Sequence, residues 1–154
     1  GGLAAGARVE VPAAALMADT IMPHLDFVSI GTNDLTQYTM AADRLSPQLA
    51  YLTDPWQPAV LRLIQHTCVV GRDNNVPVGV CGEPAADPML ACVLTGLGVT
   101  SLSAASTAVA GVGAQLAELS LEQCQKMAEA AVNAESPADA RAAVIALLEG
   151  YQSA

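Results

Sequence analysis

"VSIGTNDLTQYTMAADR", residues 28–44, decides how this chain is read. It opens as a short apolar run of β type and then gathers Asn33, Asp34, Gln37, Asp43 and Arg44 in what reads as a loop directly behind the strand. The strand itself covers residues 27–30, and comparable runs stand at 9–11, 77–81 and 100–103. Between them, segments 13–25, 58–74 and 88–96 have helical length, and Leu61, Ile64 and Cys68 recur at the 3.6-residue period. Four strands alternating with helices predict an α/β fold with a parallel sheet and right-handed crossovers. In such a sheet the chemistry collects in the loops after the C-terminal strand ends, which is where the polar load behind Ile30 sits.

Beyond the last strand, "LSLEQCQKMAEAAVNAESPADARAAVIALLEGY" (residues 119–151) reads as two further helices. Ser120 opens the first, with Glu122 and Gln123 in its first turn, and Pro137 starts the second. Ala140, Ala143, Val144, Leu147 and Leu148 keep a helical period through an Ala-rich stretch, so this part is expected to pack. There is no internal repeat beyond the β/α unit.

The sequence has 154 residues, enough for one domain or part of one, and residues 1–154 read as a single segment. With 53% hydrophobic and 14% charged residues, a disordered chain is excluded. Apolar stretches break well before the ~18 residues of a membrane helix, and no signal-type start is present, so no membrane role and a cytoplasmic location are expected. A net charge of −9 repels phosphate backbones, which argues against a nucleic-acid partner. Cys68, Cys81, Cys92 and Cys124 lack CxxC spacing, so free thiols are expected.

Three strand ends carry candidate chemistry: Glu10 in "VEVP", Asn33 and Asp34 in "GTNDLTQ", and Cys81 with Glu83 in "VCGEP". Glu10 and Asp34, from neighbouring strands, can hold a hard divalent ion such as Mg²⁺ with water and substrate oxygens. Spacing alone leaves another reading equally open, in which Glu10 pairs with a nearby cation and Asp34 caps a helix. Asn33 offers an amide donor. Arg44 offers a planar fork for a carboxylate or phosphate, or a solvated ion pair beside Asp43. Cys81 precedes Gly82 at a strand end, where a protonated thiol can deliver a proton to a carbanion or enolate; Cys68, Cys92 and Cys124 lie on helices and read as core. His24 and His66 stand on expected helices, away from strand ends, which disfavours a Cys/His pair. Ser103, Ser106 and Thr107 read as caps before they read as a phosphate site. No dinucleotide, Walker, zinc or Ser/His/Asp signature is present.

Four stretches together resemble the phosphoenolpyruvate-utilising enzymes: "VEVPAAALMAD" (9–19), "DFVSIGTNDLTQYTMAADR" (26–44), "YLTDPWQPAVLRLI" (51–64) and "VGVCGEPAADP" (78–88). Within that family, "YTMAADR" is most similar to the Enzyme I branch of the bacterial phosphotransferase system, more than to the dikinase or synthase branches. The resemblance implies the C-terminal half of a TIM (β/α)₈ barrel domain, with about four parallel strands followed by C-terminal helices. It implies binding of phosphoenolpyruvate and Mg²⁺ and release of pyruvate. By the same resemblance, the phosphoryl group is expected to pass to a histidine on a separate N-terminal domain, then to the histidine-containing phosphocarrier protein in sugar uptake. Carried over by position, Glu10 and Asp34 are implied as Mg²⁺ ligands, Asn33 and Arg44 as substrate-binding, and Cys81 as the acid that protonates the enolate.

Neither His24 nor His66 matches the family's acceptor motif, so the segment alone is expected not to turn over. Half a barrel has bare edges, and the expectation is a homodimer that closes or covers them. A non-catalytic assembly module is the competing reading.

Overall fold

The computed structural model describes residues 2–154. Four strands form one parallel sheet whose spatial order repeats the chain order: β1 (Gly6–Val9), β2 (Phe27–Gly31), β3 (Val78–Cys81) and β4 (Ser101–Ser103). Order without reversal is what a barrel wall has and a doubly wound sheet lacks. The fold class read from the sequence is therefore the one observed.

Register separates the sheet's faces. Val9, Ile30, Val80 and Leu102 lie across from one another, as do Ala7, Val28 and Val78, and this face is the core side, with Val9, Val28, Ile30, Val78 and Val80 buried. The opposite face runs Arg8, Ser29, Gly79, Ser101 in one row and Gly31, Cys81, Ser103 in the next. Small and polar residues dominate it, and Arg8, Ser101 and Ser103 are exposed.

The β1–β2 connection carries α1 (Pro12–Leu16) and α2 (Ala18–Ile21), then a 3₁₀ turn Met22–His24. The sequence suggested one helix over 13–25. It breaks at Met17, whose ψ of 18° leaves the helical well, and Pro23 removes an N–H that a continuous helix needs. The first strand also sits earlier than the 9–11 read from the sequence, so Glu10 follows the strand end. Between β2 and β3 lie α3 (Thr32–Met40), a long connection with a 3₁₀ turn Pro47–Leu49, and α4 (Pro58–Asp73). Of the polar stretch behind Ile30, Asn33, Asp34 and Gln37 thus stand on a helix, while Asp43 and Arg44 lie in the loop that follows it, as the sequence suggests.

A 3₁₀ turn Glu83–Ala86 follows β3 and leads into α5 (Pro88–Leu97). Asp87 caps α5 by accepting from the Met89 and Leu90 amides at 3.0 and 3.2 Å, Pro88 takes the first helical position, and Gly98 at φ 107° ends it.

Beyond β4 come α6 (Ser106–Ala117), α7 (Leu121–Val132) and α8 (Pro137–Gln152). The last two are the helices read from the sequence; α6, with small residues and no clear apolar stripe, is a helix that the sequence pattern does not announce. Ser120 and Gln123 form a reciprocal capping box on α7, and Ser136 caps α8 from the Asp139 amide at 3.1 Å.

Trp56, Met22, Ile30, Leu35, Leu61, Ile64, Leu90, Leu94 and Met127 are the largest fully buried side chains. Each such side chain contributes about 1.5–3 kcal/mol by leaving water. The most extensive helix pairing is α5 on α7. It depends on Gly96: a Cβ there would lie 2.0 Å from the backbone oxygen of Cys124, which no rotamer change relieves. Gly96→Ala gains helix propensity of about 1 kcal/mol but forces the two helices apart. We expect a net loss of about 2 kcal/mol, measured as a lower urea midpoint.

The buried thiols add a pH term. Burial pushes Cys68 and Cys92 up from about 9 to about 12 and raises Cys124 as well. Unfolded thiols lose their protons first, so between about pH 9 and about pH 12 the unfolded state binds fewer protons than the native state. Stability is then full below about pH 9 and falls as the pH rises. Urea midpoints at about pH 8 and about pH 10.5 should show that fall, and Cys68→Ala should make it shallower.

Candidate active site

The rim where β1, β2 and β3 end gathers most of the polar residues that the sequence singled out. Gly31 ends β2 and serves as N-cap of α3 without a side-chain cap, so Thr32, Asn33 and Asp34 form the first turn at the positive end of the helix dipole. The Thr32 hydroxyl donates to the Cys81 carbonyl at 2.9 Å, which ties α3 to the end of β3. Asn33 Oδ1 accepts from the Glu83 amide at 3.4 Å, joining the same helix to the turn after Gly82. Cys81 is half-buried. Its Sγ accepts from the Ser29 hydroxyl at 3.8 Å and donates to the Ile30 carbonyl at 3.5 Å.

Both carboxylates are engaged by arginine. Glu10 pairs with Arg8 Nε, and Arg44 Nη1 stands 3.7 Å from Asp34 Oδ1. Gly31 makes the first pair possible, since a Cβ there would meet Glu10 Cγ at 2.9 Å and Arg8 Nε at 3.3 Å. A cleft of about 390 Å³ is lined by Arg8, Asn33, Asp34, Arg44, Cys81 and the Gly31–Thr32 and Gly82 backbone. A wider one of about 560 Å³ shares Asn33 and Arg44 and continues over Thr36, Leu45, Thr53, Pro55, Glu83 and Pro84. Two of the six cationic residues in an acidic chain thus face one cleft, beside a helix N-terminus. That combination suits an anion such as phosphate or carboxylate.

Of the five residues picked from the sequence, Asn33, Asp34, Arg44 and Cys81 line this cleft, and Glu10 stands at its edge against Arg8 and Gly31. Arg8 was missed. Its signal was present in "RVE": residues two apart on a strand share a face, so Arg8 belongs on the side that Glu10 continues. Ser103 is on the same sheet face as Cys81, its β4 partner, but lines neither cleft.

The donor set also discriminates among metals. Among the described residues no three His, Cys, Asp or Glu side chains converge, which does not suit a structural zinc site. Glu10, just past the end of β1, and Asp34, in the first turn of α3, are donors of the kind that Mg²⁺ takes, since it commonly uses one or two carboxylates with water and substrate oxygens.

A β/α wall of barrel type with an arginine-bearing polar cleft at its strand ends is the class that fold and site define. The chain matches the family model for the PEP-utilising enzyme, PEP-binding domain, over residues 2–121, and it belongs to that family. It is 50% identical to a phosphoenolpyruvate-protein phosphotransferase of Streptomyces coelicolor across 94% of this chain and 26% of that protein. It is 45% identical to the protein of the same name from Bacillus sp. across 83% of this chain and 22% of that one. A multiphosphoryl transfer protein of Xanthomonas campestris pv. campestris is 47% identical over 89% of this chain and 16% of its own length. The chain therefore spans about a quarter or less of the curated relatives it matches.

Gly82 is the backbone pivot of the site. Its φ of 126° is outside the range of ordinary L residues, and a Cβ would lie 2.4 Å from Thr32 Oγ1. Gly82→Ala should cost about 1–3 kcal/mol and break the Thr32–Cys81 hydrogen bond. A lower thermal midpoint, together with faster modification of Cys81 by a thiol reagent, checks this; Thr32→Val should reproduce the second effect with less of the first.

Proposed function

We propose that this chain forms the C-terminal half of the phosphoenolpyruvate-binding barrel domain of a phosphotransferase of the Enzyme I type, carrying part of its metal and substrate site. One observation carries the reading: Arg8, Asn33, Asp34, Arg44 and Cys81 surround a single cleft in a chain of the PEP-binding family. Arg44 supplies a fork for the phosphate or carboxylate of the ligand, and Arg8 adds positive charge on the β1 side. Asn33, in the first turn of α3, donates its amide to the ligand, while the uncapped N–H groups of that turn add donors. Glu10 and Asp34 would hold Mg²⁺, which when bound offsets the charge on the phosphoryl oxygens as the P–O bond loosens.

Loss of the phosphoryl group leaves an enolate, and protonation of its terminal carbon makes the product pyruvate. Cys81 is the side chain at the cleft with a transferable thiol proton, and Ser29 and the Ile30 carbonyl hold that thiol in place. Neither His24 nor His66 lines the two clefts at the strand ends, so the phosphoryl acceptor is assigned to a histidine of another domain. From that histidine the group would pass to the histidine-containing phosphocarrier protein during sugar uptake, the route that the resemblance to the Enzyme I branch implies. A cytoplasmic site of action follows from that partnership. No helix among the described residues is long and apolar enough to cross a membrane. The exposed sheet face and the outer edges of β1 and β4 favour a homodimer.

Calorimetry with phosphoenolpyruvate and Mg²⁺ tests the core of this reading. Saturable binding is expected, weakened at least about tenfold, or about 1.4 kcal/mol, by Arg44→Ala. Asp34→Asn should remove its dependence on Mg²⁺, while Cys81→Ser should leave affinity within about twofold because the thiol acts after binding. An absence of heat at millimolar ligand would reject the proposal.

A further inference from the structure

The family model ends at residue 121, so α8 lies wholly beyond it. Yet α8 reaches the wall of the cleft through one side chain. Arg141 Nη2 donates to both carboxylate oxygens of Asp54, at 3.3 and 3.4 Å, and its guanidinium sits over the Trp56 ring, 5.4 Å from the centroid. Trp56 is completely buried; its indole N–H donates to Asp87 Oδ2 at 3.2 Å, the same carboxylate that caps α5. Asp54 also accepts from the Trp56 amide at 2.8 Å. One residue to either side of Asp54 stand Thr53 and Pro55, both of which line the wider cleft together with Arg44.

That wall needs an outside anchor. The connection from α3 to α4 runs over residues 41–57 with a single 3₁₀ turn of its own, and Leu45 and Tyr51 within it are 82% and 69% exposed. Connections of this length are poorly ordered unless something ties them down. Gln57 ties the end internally, donating to the Tyr51 and Leu52 carbonyls at 3.4 and 3.2 Å, which cross-links residues 51–57. Arg141 then ties that segment to α8, which is itself seated by the buried Ala140 and Val144.

We propose that Arg141 is a positioning residue for the cleft: through Asp54 and Trp56 it holds the 41–57 connection, and with it Thr53, Pro55 and Arg44, in place. The consequence for ligand affinity rests on the function proposed above; the consequence for the connection does not. A planar fork that grips a carboxylate and stacks on indole is suited to this task, whereas an ammonium group can reproduce only the charge pairing.

Hydrogen exchange followed by mass spectrometry on the full chain tests it, with Arg141→Met, Arg141→Lys, Asp54→Asn and the double variant Arg141→Met/Asp54→Asn. Arg141→Met should speed exchange about tenfold across residues 43–57 while the buried amides of α4 and α5 keep their native rates. Asp54→Asn should do the same, the double variant should add little, and Arg141→Lys should restore part of the protection. In parallel, affinity for phosphoenolpyruvate with Mg²⁺ should drop about tenfold in Arg141→Met and recover in part with Lys. Faster exchange confined to α8, or spread evenly over the molecule, or additive in the double variant, would overturn the proposal. A native chain that binds no phosphoenolpyruvate would overturn the proposed function instead, and the exchange pattern would then decide the role of Arg141 by itself.

Discussion

The pairing of β2 with β3, in the register that sets Gly31 beside Cys81, is the constraint on which the rest of the site depends. Side chains alternate faces along a strand, so a slip of one residue would turn Cys81 into the core and bring Val80 to the rim. The buried row of Val28, Ile30, Val78 and Val80 opposes that slip, since exposing any one of them forfeits about 1.5–3 kcal/mol. Once the register is set, the Thr32 hydroxyl meets the Cys81 carbonyl and the Asn33 amide oxygen meets the Glu83 N–H, which locks α3 against the end of β3. Two glycines make this closeness possible: Gly31, over which Glu10 and Arg8 lie, and Gly82, whose backbone turns where a side chain would strike Thr32.

Charge is distributed to the same end. Fifteen acidic residues oppose six basic ones overall, yet the cleft holds two arginines, each matched by a carboxylate. The pairs are partly exposed, and pairs of that kind contribute about 0–1 kcal/mol. They orient the arginines without locking them. An incoming phosphate can take over a guanidinium, and a divalent cation can take over the released carboxylate, at little cost in stability. The proposed function uses that exchange: the same four side chains serve as mutual partners before the ligand arrives and as its ligands afterwards.

The helices after the sheet have a mechanical part in this arrangement. The α5–α7 contact is close enough that Gly96 cannot accept a methyl group, and Arg62 Nε donates to the Val132 carbonyl at 2.7 Å, fastening α7 to α4. Through α7, α8 is carried at a fixed distance from the sheet, with Arg141 directed at Asp54 and Trp56. The stiff layer of the molecule thereby lends order to the connection that needs it most, the one between α3 and α4.

The sequence alone determined the β/α alternation, the parallel sheet and the rim as the place for chemistry, because period-2 and period-3.6 patterns are local properties of the chain. It also singled out Glu10, Asn33, Asp34, Arg44 and Cys81, since polar residues immediately after apolar strands stand out, and a family resemblance attached roles to them. It read all of the polar stretch behind Ile30 as a loop, which holds for Asp43 and Arg44 but not for its first part, because Thr32, Asn33 and Asp34 have modest helix propensity and only the docking of α3 on the sheet and α4 repays it. It ran one helix through Met17 and Pro23 for the opposite reason, a favourable period that local backbone geometry interrupts. Arg8, the Gly82 pivot and the reach of Arg141 to Asp54 were decided by tertiary structure. The Gly82 pivot against Thr32 and the reach of Arg141 to Asp54 join groups 50 and 87 residues apart, which no local pattern encodes, whereas the pairing of Arg8 with Glu10 is local and only its place on the cleft needed the fold.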